Sequence, residues 1–294
     1  MIIRLRHAIG VTMADKQAPA PAPRGSDEMY AIDVHTHVFP DHVAEKAVAS
    51  LSSAANARAY GAGTIRDLRE KMDKANVKKS VLASIATRIP QVPSINNWLL
   101  SQRNDRFIPF AALHPDDPDR FKEILRVKDL GFKGVKLHPN YQDFFPDDPR
   151  IIDLARAIAD AGLILLLHGG VDWAYEEVKA SPDRMARLME AVPSLALIIA
   201  HFGGFERWSE VETTLAGSNA FFDISFTLPF IKEEDFLRIA RKHGVHRLLF
   251  GSDYPWADPA EQRALLHGLD LTDVEKEAIL HINAEKLLDL SASP

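Results

Sequence analysis

The residues most able to do chemistry begin with Asp33-Val34-His35-Thr36-His37. If this stretch is a strand, alternate side chains share a face, so His35 and His37 converge and Asp33 lies one step deeper on the same side. Neutral imidazole nitrogen is a good ligand for zinc and similar divalent ions, and a buried carboxylate beneath it can orient a ring by accepting its second N–H. Similar residues recur far downstream, in Gly134-Val-Lys136-Leu-His138-Pro139, Leu167-His168-Gly-Gly170, Ala200-His201-Phe-Gly-Gly204 and Gly251-Ser-Asp253-Tyr-Pro255-Trp256. Taken singly, each has an ordinary explanation: a strand-end histidine is usually a hydrogen-bonded surface or core residue, and Asp253 could be a helix cap before Pro255. His42, His114, His243, His246, His267 and His281 are assigned that ordinary role. The joint recurrence of His35, His37, His168, His201 and Asp253 favours a metal site. With no cysteine in the chain, any ion must be held by nitrogen and oxygen.

The elements that must position these residues are short apolar runs alternating with amphipathic segments. Eight such runs are predicted as strands: Ala31 to Val34, Lys79 to Ser84, Phe107 to Leu113, Gly134 to Leu137, Leu163 to Leu167, Leu195 to Ala200, Ala220 to Ile224 and Arg247 to Phe250. Most are nearly continuous in apolar residues, as expected of parallel strands buried on both faces. Helical patterns fall between them at Thr64 to Ala75, Asp119 to Leu130, Ile151 to Ala161, Asp183 to Ala191 and Glu233 to Lys242. Eight strand-helix units in about 265 residues predict an α/β fold, a (β/α)8 TIM barrel. A doubly wound sheet needs no eighth strand, and no Gly-x-Gly-x-x-Gly follows the first run. In a barrel the C-terminal strand ends meet at one mouth, where the polar residues above would gather; the glycines beside them would let the backbone turn sharply. The two longer connections, Phe39 to Gly63 and Gly203 to Ser218, are read as lids or extra helices.

Residues 1–28 differ in composition, with the Pro/Ala run Gln17 to Arg24, and read as a disordered or loosely attached leader before a single barrel domain over 29–294. Asp15 and Lys16 interrupt any plausible signal-peptide core, so a cytoplasmic location follows by default. A hydrophobic content of 46% supplies a sizeable core, and no run approaches transmembrane length. A net charge of −6 without a basic cluster argues against a nucleic-acid surface and makes a nuclease the weaker reading.

On these residues the chain resembles the amidohydrolase superfamily, and more closely its amidohydrolase-related branch, which includes aminocarboxymuconate semialdehyde decarboxylase. The similarity runs from about Met29 to Leu288 and rests on Asp33-Val-His35-Thr-His37, His168, His201, Gly251-Ser-Asp253-Tyr-Pro255 and Asn283-Ala284 before a last helix. It implies a metal-dependent barrel in which His35, His37, His168 and Asp253 hold one divalent ion, usually zinc, with His201 beside it to polarise the substrate or the attacking water. It also implies a homodimer acting on a small-molecule substrate.

An ion held by such groups lowers the pKa of a bound water towards neutrality. Asp253 would then accept that water's proton and pass it to the leaving group, while protonated His201 stabilises an oxyanion. The leading expectation is hydrolysis of a C–O or C–N bond in a small carboxylated or cyclic substrate. The alternative is a non-oxidative decarboxylase using the same residues, and a metal-binding barrel without catalysis is the third reading. Lys136 departs from the decarboxylase pattern: it either neutralises buried Asp33 or grips a substrate carboxylate, in preference to being carboxylated and bridging a second metal. His138 either lines the cavity or caps its strand. Arg88, Tyr141, Tyr175 and Trp208 fall on strand-following loops, as do Trp173, Arg207 and Trp256. The last three, with Lys136 and His138, are the substrate-binding candidates, since arginine forks onto carboxylates and rings stack on planar molecules.

Overall fold

All eight apolar runs form strands, each within three residues of its expected limits, because continuous Val/Ile/Leu/Phe stretches are stable only where both faces are covered. The computed structural model describes residues 29–290, so the leader expected over 1–28 lies outside the described residues. In chain order the elements are β1 (Ala31–Thr36), α1 (Asp41–Ala55), α2 (Ile65–Lys74), β2 (Val77–Ala83), α3 (Gln91–Gln102), β3 (Phe107–Ala112), α4 (Arg120–Asp129), β4 (Gly134–Leu137) and α5 (Pro149–Asp160). They continue with β5 (Ile164–Leu167), α6 (Pro182–Ala191), β6 (Leu197–Ile199), α7 (Trp208–Thr214), β7 (Phe221–Asp223), α8 (Glu233–His243), β8 (Leu248–Leu249), α9 (Pro259–Gly268), α10 (Asp273–Glu277) and α11 (Asn283–Leu287). The two long connections carry α1 and α7.

Helix starts follow local chemistry. Thr64 caps α2 by accepting the Asp67 amide, prolines open α5, α6 and α9, and Thr272 with Glu275 forms a capping box at α10. The strands are all parallel and pair in sequence order from β1 to β8. The Val34 amide reaches the Phe250 carbonyl at 2.9 Å and the Asp253 amide reaches the His35 carbonyl at 2.9 Å, which draws the ends of the sheet together into a (β/α)8 TIM barrel.

Two large apolar clusters make up most of the core, with a small third of Ala86, Val92 and Ala112. The larger joins strand side chains such as Phe107, Leu137 and Leu167 to helix side chains such as Leu68, Leu154 and Phe236. The smaller takes the opposite side of the strands, with Ile32, Val81, Phe110, Leu166, Ile198 and Leu249, and so fills the barrel interior. Ala284 and Leu288 pack into it, and the Asn283 amide group donates to the Val245 and Leu248 carbonyls, tying the last helix to the base of β8. Among the described residues no helix is long and apolar enough to cross a membrane.

Candidate metal centre

β1 does not alternate strictly. Its pairing with β2 slips between Asp33 and Thr36, and such a slip re-aims the side chains beyond it. Asp33 therefore does not lie beneath the His35 ring as its spacing predicts. Its carboxylate instead accepts from the His35 amide (3.1 Å), the Ser252 amide (2.9 Å) and the Ser252 hydroxyl (2.5 Å). Burial pushes its pKa up to about 7 against these hydrogen bonds. Nor does Lys136 neutralise it, since the lysine faces His35.

The carboxylate that orients His35 is Asp223, at the end of β7. Its Oδ2 stands 3.0 Å from His35 Nδ1, and the Ser225 hydroxyl lies 3.0 Å from the same nitrogen while donating to Asp223 Oδ1 at 2.5 Å. Burial opposes the charge on Asp223 but is outweighed by His35, His201 and the Ser225 hydroxyl, so the carboxyl lies below the usual range. Burial, reinforced by the Lys136 charge, lowers His35 to about 4. A neutral ring with its proton on Nδ1 turns the Nε2 lone pair towards the cavity. There it meets His37 Nε2 at 3.1 Å, Asp253 Oδ1 at 3.5 Å and Lys136 Nζ at 3.0 Å.

His37 Nε2 is 3.2 Å from Asp253 Oδ1, and His35, His37 and Asp253 each offer a ligand atom within 4.8 Å of the others. Two imidazoles and a carboxylate at that spacing match the donor set of a divalent ion. Burial works against the charge on Asp253, but the His37 hydrogen bond and the neighbouring His35 and His201 rings lower its pKa overall. Lys136 is fully buried, which lowers its pKa to about 8 although Asp223 and Asp253 pull the other way.

His168 lies in the same cavity but outside that trio. Its ring stacks on His138 (centroids 4.1 Å, 18°), its Nδ1 is 3.1 Å from His201 Nε2, and it groups instead with His138 and Asp172. Burial drives the pKa values of both His138 and His168 well down. The Ser225 carbonyl, 3.0 Å from His201 Nδ1, can only accept, so His201 carries its proton there; Nε2 then accepts from His168 Nδ1. That leaves His168 Nε2 buried with no hydrogen-bond partner, a lone pair free for an ion. His138 is held from both sides, by the Tyr141 amide at Nδ1 (3.4 Å) and Asp172 Oδ2 at Nε2 (3.3 Å).

The sharp turns after the strands are made partly by the polar residues themselves. His201 (φ 59°) and Asp253 (φ 69°) both occupy the left-handed region, a conformation that costs roughly 1–3 kcal/mol in a residue with a side chain. Gly203 takes up a further positive φ of 83° after β6, as its position predicts. Gly251 does not; its role is space, since a Cβ there would stand 3.1 Å from those of both His35 and Ser225.

His35, His37, Lys136, His138, His168, Asp172, His201 and Asp253 line a cavity of about 950 Å³ at the C-terminal end of the barrel. Of the substrate-binding candidates, Lys136, His138, Trp173 and Trp256 line it, as do Arg88 and Tyr141. Arg207 does not line it: its guanidinium is drawn to Glu210 on the first turn of α7 (2.9 Å). Trp208 donates to the His201 carbonyl (3.3 Å) rather than facing the cavity. Sequence reasoning missed Asp223, Ser225 and Asp172, and treated His42, which lines the cavity, as ordinary. The signal for Asp223 was present, as the one charged residue in the apolar run Ala220 to Ile224.

The amidohydrolase family model matches residues 32–290, and the chain belongs to this family. Among solved structures it is similar to 2,6-dihydroxybenzoate decarboxylase from Rhizobium (TM-score 0.66, 18% identity, 90% of this chain and 99% of that one). A dihydroxybenzoic acid decarboxylase from a Polaromonas species, with bound manganese and the inhibitor 2-nitroresorcinol, is similar to the same degree (TM-score 0.66, 16% identity, 90% and 98%). An uncharacterised TIM-barrel protein from Bordetella bronchiseptica superposes with TM-score 0.72 at 19% identity (90% and 100%). At these identities the likeness establishes the fold. Comparison with curated protein sequences finds no match.

Proposed function

We propose that the protein is a metal-dependent, non-oxidative decarboxylase of a planar aromatic or unsaturated carboxylic acid. The observation that carries this reading is the joining of His35, His37 and Asp253 to a cavity walled by Trp173, Phe205 and Phe226. Those rings pack edge-on or tilted against one another at 5.4–5.6 Å, a rigid apolar wall suited to a flat substrate. Hydrolysis at the same groups, the first expectation from the sequence, ranks second, because the solved relatives named above include decarboxylases of ring acids.

His35, His37 and Asp253 would hold the ion, joined by the free Nε2 of His168. Zinc was the expectation from resemblance; manganese, seen in the Polaromonas relative, suits the same nitrogen and oxygen donors. When bound, the ion supplies Lewis acidity to the oxygens of the acid. The Lys136 ammonium offsets the charge of a substrate carboxylate. Asp253, ionised at rest, takes a proton from an acidic substrate hydroxyl or a water and delivers it to the ring carbon bearing the carboxylate. The C–C bond then breaks, its electron pair returns to the ring and carbon dioxide leaves. His201, anchored through Nδ1 and accepting from His168 Nδ1 at Nε2, fixes the His168 ring so that its Nε2 lone pair is kept free.

The test is carbon dioxide release from hydroxybenzoates by protein loaded with manganese or zinc, run beside lactone and amide panels. Carbon dioxide from the acids, abolished by Asp253→Asn, supports decarboxylation. Turnover of the lactones or amides alone returns the assignment to hydrolysis.

A further inference from the structure

The cavity is far larger than a single-ring acid requires. An apolar space of about 150 Å³ holds benzene, whereas about 950 Å³ lies at the top of the range seen for drug-sized ligands. Its lining shows where the excess lies. α1 contributes Val43, Ala47, Leu51 and Ala55, spaced four apart on one helix face, and α3 contributes Ile95 and Trp98. Surface helices normally press such a stripe onto the core. α1 does not: Ala44 is its one buried residue, while Val43 is 38% exposed. The charged residues on this side, Lys46 and Arg88, are exposed, so their charged ends reach water while their stems extend the apolar wall, and His42, Ser50 and Ser94, also exposed, edge the stripe with neutral polar groups.

We infer that the substrate is elongated: its carboxylated head sits among His35, His37, Lys136 and Asp253, and an apolar tail longer than one ring lies between α1 and α3. The inference rests on the acid-binding reading of the head site and adds the class of molecule that site takes. The groove opens from the same continuous cavity as the metal-capable trio, so whatever holds its head at the trio meets α1 and α3 next. A tail is also the occupant that matches an open stripe with no acidic side chain among its lining residues on α1 and α3.

The test uses manganese-loaded full-length protein and calorimetric Kd values for salicylate and its para-methyl, para-propyl and para-hexyl derivatives. The expected result is a Kd that falls about fourfold per methylene, the gain for a buried CH2 group. Ala47→Trp, which fills the stripe, and Leu51→Glu, which charges it, each flatten that dependence; circular dichroism establishes that both variants fold. Salicylate binding with no dependence on chain length overturns the elongated substrate and leaves the acid-binding head standing. Failure of all four acids to bind the loaded protein overturns the head reading and this inference with it. A flat dependence accompanied by a doubled mass that Leu51→Glu halves assigns the stripe to a second copy of the chain instead.

Discussion

His35 can present a lone pair to the cavity because Asp223 and Ser225 hold its other nitrogen. Asp223→Ala therefore weakens binding of manganese or zinc by about ten- to hundredfold in calorimetric titration, although Asp223 is outside the ligand trio. Unchanged affinity in a folded variant would remove its orienting role. Lys136→Met deletes a buried cation while keeping most of the side-chain volume. It raises KM for the acid substrate by roughly ten- to hundredfold, the worth of a charge-assisted hydrogen bond, with a smaller effect on kcat. A fall in kcat at constant KM would instead give the lysine a part in the chemical step. The imidazoles were legible at this scale, and their partners were not. Asp33 is two residues from His35 and looked like the orienting acid; the true one is 188 residues away and reaches it only through barrel closure.

The strands and the helices α2, α4, α5, α6 and α8 were legible because their cores are: continuous apolar runs cannot be left half exposed, and Thr64, Pro149 and Pro182 mark helix starts by local chemistry. What escaped is the slip in β1, since alternation is a property of regular pairing and the sequence carries no sign of where pairing breaks. Arg207 was misplaced for a related reason: a loop position says nothing of which way the guanidinium turns, and Glu210 captures it three residues later. Between α8 and β7 the His243 ring stacks on Phe222 (centroids 3.8 Å) with Nε2 3.1 Å from the Ala220 carbonyl. Burial lowers its pKa from 6.5 to about 4. The unfolded chain thus takes up this proton before the folded one does. The contribution is whole above about pH 6.5 and is lost as pH falls towards 4. In urea melts at neutral and mildly acidic pH, His243→Gln loses less stability on acidification than the parent protein. An identical loss in both would show that the ring does not govern this interval.

Across the whole molecule, the barrel was readable from eight runs and their order, and the mouth from the polar residues that end them. The cavity was not, because its volume belongs to gaps between α1, α3 and the loops after β4, β5 and β6, which no local pattern encodes. The joining of β1 to β8 sets Asp253 beside His35 and His37, residues more than two hundred positions earlier in the chain. The claim on which the proposed chemistry depends is that this junction holds a single ion. Metal content per chain of the purified protein, measured by plasma mass spectrometry alongside His35→Ala and Asp253→Ala, tests it directly. The account predicts about one divalent ion per chain, lost from both variants; a parent protein without tightly held metal, or variants that keep it in full, would contradict it.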